Sequence, residues 1–427
     1  MSKRVTLSRR HLLAGLAGTA ALPVLAPRAI AQTNARLVVI GGGFGGATAA
    51  KFLKHFLPNT SVTLIEPNET FVACPFSNLV IGGQREISQQ AFTYDGLRAL
   101  GIDVVHQTAG DVDVDAHTVS LLEGGGSVAY DKLIMSPGVD IRWGALEGYD
   151  EAAAEVMPHA WKAGAQTSLL RQQLEAMEDG GLVVMSAPLA PFRCPPGPYE
   201  RASLIAHYLK TQKPASKLLI LDAKDSFSKK PLFLEAWAKL YPDHLEWRGA
   251  ADFGRVVSVD APTMTLSTDF EDIAASVANV IPPQKAGEIA ERAGVADETG
   301  WCPINPLDFS STLQPDIHVI GDATIAAPMP KSAFSANLQA KFCAMQIARQ
   351  VAGLDLEPTV LANTCYSYIS PDQAISITGV YSNADGQLAS IDGAGGLSPE
   401  NADDSVRTAE AAQADTWFRT ITQEAFG

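Results

Sequence analysis

Ala35-Arg36-Leu37-Val38-Val39-Ile40-Gly41-Gly42-Gly43-Phe44-Gly45-Gly46 is the stretch on which the fold turns. Its apolar run reads as a buried strand, its glycines as a tight turn, and residues 47–57 continue in helical register. Gly41, Gly43 and Gly46 fit G-x-G-x-x-G: one permits the turn, one admits a pyrophosphate to the backbone, one lets helix and strand pack closely. The helix N-terminus then faces the phosphates. Val62-Thr63-Leu64-Ile65-Glu66 follows as a second strand whose terminal acid lies twenty residues past Gly46, where a ribose hydroxyl is bound. A glycine-rich turn of an arbitrary α/β protein would leave the position of Glu66 unexplained.

Upstream, Lys3 and Arg4 and then Ser8-Arg9-Arg10-His11-Leu12-Leu13 precede a short Leu, Ala and Gly run. This reads as a twin-arginine export signal. The apolar residues 12–25 are too few to span a bilayer, and Ala29-Ile30-Ala31 supplies small residues for cleavage. The expectation is a periplasmic protein exported already folded around a cofactor. Removing the signal takes away Lys3, Arg4, Arg9, Arg10 and Arg28 and no acid, so the formal charge falls from −15 to −20. Such acidity excludes nucleic acid as a partner and suits a partner with a basic face. No later apolar run approaches the ~18 residues of a transmembrane helix, so no membrane insertion is expected. Residues 393–404 read as a surface loop.

Toward the other end, Ile317-His318-Val319-Ile320-Gly321-Asp322-Ala323 resembles the second FAD fingerprint of the two-dinucleotide-domain flavoproteins. The resemblance implies that Asp322 binds the flavin ribitol, and Tyr130-Asp131-Lys132-Leu133-Ile134-Met135-Ser136-Pro137-Gly138 looks like that family's crossover strand. Pro328-Met329-Pro330-Lys331-Ser332 leads into a predicted helix over Ala333–Val351, with Phe334, Leu338, Phe342, Met345 and Ala348 as its apolar spacing. By the same resemblance this helix points its N-terminus at the flavin, and Lys331 joins the cofactor-binding set. In the middle of the chain the strand Gly181-Leu182-Val183-Val184-Met185 should precede a second glycine turn if NAD(P)H were bound. Ser186-Ala187-Pro188-Leu189-Ala190-Pro191-Phe192-Arg193-Cys194-Pro195-Pro196-Gly197 stands there instead, so a pyridine nucleotide is not expected. The strand Lys217–Asp222 still ends in an acid suited to a ribose, which leaves the exclusion resting on the lost glycines.

Five cysteines are present, Cys74, Cys194, Cys302, Cys343 and Cys365, and none lies in C-x-x-C-H or in a paired zinc spacing. No haem and no metal are expected in this chain. Arg193-Cys194-Pro195-Pro196-Gly197-Pro198-Tyr199-Glu200, Thr364-Cys365-Tyr366-Ser367, the Gly-Asp and Pro-Met-Pro-Lys motifs and Trp417 resemble the flavoprotein subunit of flavocytochrome c sulfide dehydrogenase, a relative of sulfide:quinone oxidoreductases. The resemblance extends over the whole mature chain. It implies FAD-dependent oxidation of sulfide, with electrons passed to a c-type cytochrome.

By that resemblance Cys194 and Cys365, 171 residues apart, form a redox-active disulfide at the flavin. An exported protein tolerates a disulfide, and hydrosulfide attacks sulfur directly. One cysteine would become a persulfide, and Cys365 would lie nearest the flavin. A plain stabilising disulfide is the competing reading. Glu200 would be an acid or base beside the pair, or simply an acid favoured at a helix start. Cys194 near that start would have a stabilised thiolate. Cys74, in Ala73-Cys74-Pro75-Phe76, is implied to join the flavin 8α-methyl through a thioether, although Pro75-Phe76 departs from the family's pattern; a buried free thiol is the alternative. Trp417 is placed beside the flavin or in the core. Cys302 and Cys343 read as buried thiols.

The predicted fold class is α/β, with two Rossmann-like domains of glutathione-reductase type and a C-terminal α+β interface domain. The divisions are signal 1–31, FAD domain 32–146 and 287–355, a middle domain 147–286 without the NAD fingerprint, and an interface domain 356–427. A sulfide:quinone oxidoreductase would call for an apolar C-terminal membrane segment, whereas residues 409–427 are polar and acidic. A non-catalytic flavin carrier is the remaining alternative.

Overall fold

The computed structural model describes residues 35–384 and 386–427, so the export signal read in residues 1–31 lies outside the described residues. The described chain opens with β1 (Arg36–Ile40), α1 (Phe44–Phe56), β2 (Ser61–Ile65), the short helix α2 (Ser77–Ile81), β3 (Asp103–Val105) and β4 (Lys132–Met135). It continues with β5 (Leu182–Ala187), α3 (Gly197–Gln212), β6 (Lys217–Asp222), α4 (Lys230–Leu240), β7 (Leu245–Arg248) and β8 (Val277–Val280). It then returns through β9 (Ile317–Val319) and α5 (Ala333–Val351) and finishes in β10 (Val360–Ser370), β11 (Gln373–Ala384) and α6 (Asp404–Phe426).

Strands β9, β4, β1, β2 and β3, in that order, make one parallel sheet. A parallel sheet is stable only with both faces covered, which is why β1 is a continuous apolar run instead of an alternating one. Leu37, Val38 and Val39 are at most 1% exposed, each contributing about 1.5–3 kcal/mol by burial. β9 pairs with β4 although the middle sheet intervenes in sequence, and Lys132 and Asp316 form an ion pair at 2.5 Å across that junction. The first sheet is thus completed by a strand that follows the middle sheet in sequence. The two crossings lie side by side, since Val139–Ile141 pairs antiparallel with Gln284–Ala286. The middle sheet, ordered β7, β6, β5, β8, is also parallel.

Helix α5 occupies its predicted span but turns a different face inward. Phe334, Leu338, Phe342, Met345 and Ala348 are only partly buried, while Ala336, Ala340, Cys343, Ala344 and Ile347 are buried. The reason is its neighbour: α5 packs on α1, itself lined by Ala47, Ala49 and Ala50, and two helices approach closely only where the side chains between them are small. Nor do the prolines start α5. Ser332 caps it, its hydroxyl accepting the Ser335 N–H at 3.0 Å.

The C-terminal layer is antiparallel, with β10 against β11 and Cys365 opposite Ile377. In residues 393–404 one short strand, Gly396–Leu397, pairs with β11; most of the rest is exposed. Helix α6 then lies on β11 and α1, burying Ala411, Ala414, Phe418, Ile421 and Ala425 against them. No helix among the described residues is long and apolar enough to cross a membrane.

Candidate active site

The glycine turn is shaped for a pyrophosphate. Gly41 has φ +93°, and its N–H donates to the Ile65 carbonyl at 2.9 Å, locking the turn to β2. A Cβ on Gly46 would run into the Gly41 carbonyl oxygen. Helix α1 has no acid in its first turn and carries Lys54 and His55 in its last, so its positive pole is left open toward the turn. Glu66 is buried at the end of β2; its carboxylate accepts the Gly42 N–H at 2.8 Å and the Asn68 backbone and side-chain N–H groups at 2.9 and 2.8 Å.

Asp322, just past β9, is the clearest sign of a missing partner. Its Oδ1 is buried without a hydrogen bond, and burial raises its pKa against the pull of Arg193 and Lys331. A buried acceptor of this kind costs about 1–3 kcal/mol unless a donor reaches it, and a ribityl hydroxyl is such a donor. The residues present therefore fit FAD. Lys331 stands outside the cleft, its Nζ donating to the carbonyls of Asp322 and Thr324 at 2.8 and 2.6 Å and lying 3.8 Å from the Trp301 ring centroid. It holds the Asp322 turn in place. Burial lowers its pKa to about 8.

Gly43, Cys74, Cys194, Asp322, Cys365 and Trp417 line one cleft. Cys74 is a half-buried thiol whose Sγ lies 3.6 Å from the Trp161 carbonyl, which also accepts from Arg193. Trp417 is flanked by Phe334 and Tyr366 at 6.4 and 6.3 Å between ring centroids. Cys302 and Cys343 lie in different core clusters, and burial pushes the Cys302 thiol up to about 12. Both are free, buried thiols.

Cys194 sits in the loop between β5 and α3 with φ +55°, a conformation that costs a non-glycine residue about 1–2 kcal/mol. Two backbone bonds hold it there: its N–H donates to the Lys331 carbonyl at 2.8 Å and its carbonyl accepts the Gly197 N–H at 2.8 Å. Its side chain lines the same cleft as that of Cys365, from the middle of β10; both are free thiols, and the Cys365 Sγ lies 3.9 Å from the Tyr366 carbonyl. The interaction between the two thiols, together with burial, raises the Cys194 pKa, while the same interaction and the nearby Lys229 ammonium lower the Cys365 pKa to about 7. The direction of the two shifts favours a negative charge on Cys365 over one on Cys194 at the start of α3.

Glu200, in the first turn of α3, is no surface residue. One carboxylate oxygen accepts the Tyr368 N–H at 2.9 Å and the other the Asn78 amide at 2.7 Å, while burial raises its pKa. It thereby joins the helix after Cys194, the helix after Cys74 and the strand bearing Cys365. Three residues of this network escape a reading of the sequence. Asn78 and Arg201 adjoin recognised motifs, so proximity was their one signal; Lys229 had none. The acid that ends β6 also finds a different use. Asp222 is fully buried, accepting from Tyr199 Oη at 2.6 Å, Trp247 Nε1 at 3.1 Å and Lys224 Nζ at 2.6 Å, which leaves it nothing to offer a ribose. Both halves of an NAD site are thus absent from the middle domain.

The family model for the central part of the sulfide dehydrogenase (flavocytochrome c) flavoprotein chain matches residues 167–282, and that for flavocytochrome c sulphide dehydrogenase, flavin-binding, matches residues 357–426. The pyridine nucleotide-disulphide oxidoreductase model matches residues 35–174. A sulfide dehydrogenase (flavocytochrome c) flavoprotein chain from Chlorobaculum thiosulfatiphilum is 62% identical over 45 residues, 10% of this chain and 94% of that one. The chain belongs to the flavocytochrome c sulfide dehydrogenase flavoprotein family. As a member it is a flavin-binding oxidoreductase. The mitochondrial sulfide:quinone oxidoreductase of Mus musculus is 22% identical over 316 residues, 69% of this chain and 66% of the mouse protein's length. In fold, the sulfide:quinone oxidoreductase of Aquifex aeolicus superposes with a TM-score of 0.71 at 17% identity, covering 91% of this chain and 92% of that one.

Proposed function

We propose that this flavoprotein oxidises sulfide through Cys194 and Cys365 and passes the electrons from FAD to a c-type cytochrome in the periplasm, where its signal would deliver it. The observation that carries the reading is the pair itself, two free thiols on the one cleft that Gly43 and Asp322 also line. Oxidised, the pair is a disulfide. Hydrosulfide attacks the sulfur whose departing partner is the better leaving group, and a low-pKa thiol leaves faster. The Cys194 sulfur is therefore attacked: its bond to Cys365 breaks, a bond to the substrate sulfur forms, and Cys365 departs as thiolate. A second hydrosulfide removes the outer sulfur of the persulfide, leaving Cys194 as a thiol. Return to the disulfide then gives up one proton and two electrons. FAD, held by the Gly41 turn, Glu66 and Asp322, would supply the two-electron acceptor that can hand electrons singly to a haem. Glu200, half-buried on the same cleft and with a raised pKa, would take up that proton.

Burial of the apolar face of α6 within the protein favours a cytochrome over a quinone drawn from a membrane. Anaerobic sulfide should bleach the flavin of the purified protein and reduce added cytochrome c; a flavin that stays yellow would sink the reading. Cys74, on the same cleft, would hold the flavin covalently. Acid precipitation of the protein should then leave the yellow colour in the pellet, and Cys74→Ser should release it to the supernatant. Colour in the supernatant of the unmodified protein would rule the link out.

A further inference from the structure

Lys229 lies in the turn before α4 at φ +64° and is 3% exposed. Its Nζ donates to the Cys365 carbonyl at 3.0 Å, Ser367 Oγ at 2.8 Å and the Ile375 carbonyl at 3.4 Å. All three acceptors are neutral. Among the described residues no carboxylate lies within ion-pair distance of this buried ammonium, a costly arrangement for a charge unless an anion stands nearby. The carboxylates that face it are otherwise engaged: Glu200 by Asn78 and Tyr368, and Glu410 of α6 by Ser376, Ser398 and Arg407. The remaining acidic groups around it are Cys365 and Cys194.

We propose that Lys229 is the positioning residue that decides which sulfur of the pair bears the negative charge, holding the β10 backbone at Cys365 and making Cys365 the thiolate and leaving group. In the reduced pair the proton then stays on Cys194. Arg193 and Arg201 face Cys194 from its own loop and from α3 and would favour charge there, so the preference for Cys365 needs a cation on the β10 side. Lys229 is behind the strand and does not line the cleft, so it acts through Cys365 without touching substrate. This inference rests on the reading of Cys194 and Cys365 as the reacting pair, but its test uses neither sulfide nor cytochrome.

The full, flavin-loaded protein is reduced with a phosphine, exposed to iodoacetamide across a pH series, and the alkylation of each cysteine is followed by peptide mass spectrometry. In the unmodified protein Cys365 should alkylate first, with a midpoint near 7, well below that of Cys194. In Lys229→Gln, which keeps donors for the carbonyls without the charge, the Cys365 midpoint should rise by about 1 pH unit or more; Lys229→Arg should largely restore it. Cys194 alkylating first in the unmodified protein, or an unmoved midpoint in Lys229→Gln, would overturn the proposal. The first comparison needs no variant, so a poorly folding substitution leaves the test standing. An unmoved midpoint alongside intact flavin bleaching would reject the role of Lys229 alone, whereas the expected alkylation profile without bleaching would reject the sulfide reading alone.

Discussion

Serine in place of either Cys194 or Cys365 is expected to lower the rate of flavin bleaching by sulfide by at least ~10³-fold, the scale seen when one member of a concerted catalytic group is removed. The two effects should not add, since either change abolishes the same disulfide, and a Cys194→Ser/Cys365→Ser double variant should be no slower than the single ones. Flavin should stay bound in all three, because the Gly41 turn, Glu66 and Asp322 are untouched. The readout is stopped-flow absorbance of the flavin under anaerobic sulfide. Near-normal rates in both single variants would make the pair structural. The pair also differs internally. A serine at 194 removes the sulfur that hydrosulfide attacks, whereas a serine at 365 removes the leaving group.

Arg201 carries the second large effect, this time on stability. It is 2% exposed, and its guanidinium donates to Asn78 Oδ1 at 3.0 Å, the His159 carbonyl and Asn279 Oδ1 at 2.9 Å each, and the Ala160 carbonyl at 2.6 Å, with the Trp161 ring 5.0 Å away. Burial lowers its pKa to about 9. Arg201→Met keeps the stem but strands four acceptors, and disruption of such a buried charged network costs about 3–5 kcal/mol. For a chain of this size that is a fall in Tm of about 5 °C, measurable by circular dichroism and by release of flavin fluorescence. A Tm within about 1 °C of the unmodified protein would show that water or neighbouring groups replace those bonds. Asn78 also holds Glu200, so the same variant should blur the pH dependence of flavin bleaching.

Much of this protein can be read from local sequence because its defining features are local in physical origin. A parallel strand buried on both faces must be an apolar run, a turn at φ +93° must be glycine, and an acid at the end of the next strand lies at a fixed reach from the first. The span of α5 was equally legible, but its buried face was not, because closeness to α1 selects small side chains over large ones. The sign of the thiol asymmetry was hidden for a similar reason. A helix start near Cys194 is visible in sequence, whereas the cation that outweighs it, Lys229, sits 136 residues from Cys365 and meets it only through the fold.

The sequence by itself determined the two dinucleotide-type layers, the glycine cradle with Glu66, and the replacement of an NAD turn by a proline-framed cysteine, since each depends on residues within one strand-turn-helix unit. Tertiary structure alone decided that Cys194 and Cys365 line one cleft, that Glu200 and Asn78 tie three segments together, that Asp222 is consumed internally, and that Lys331 braces a turn outside the cleft. Those are contacts between segments far apart in the chain. Their energies depend on burial and on which charges face each other, and neither is written in local order.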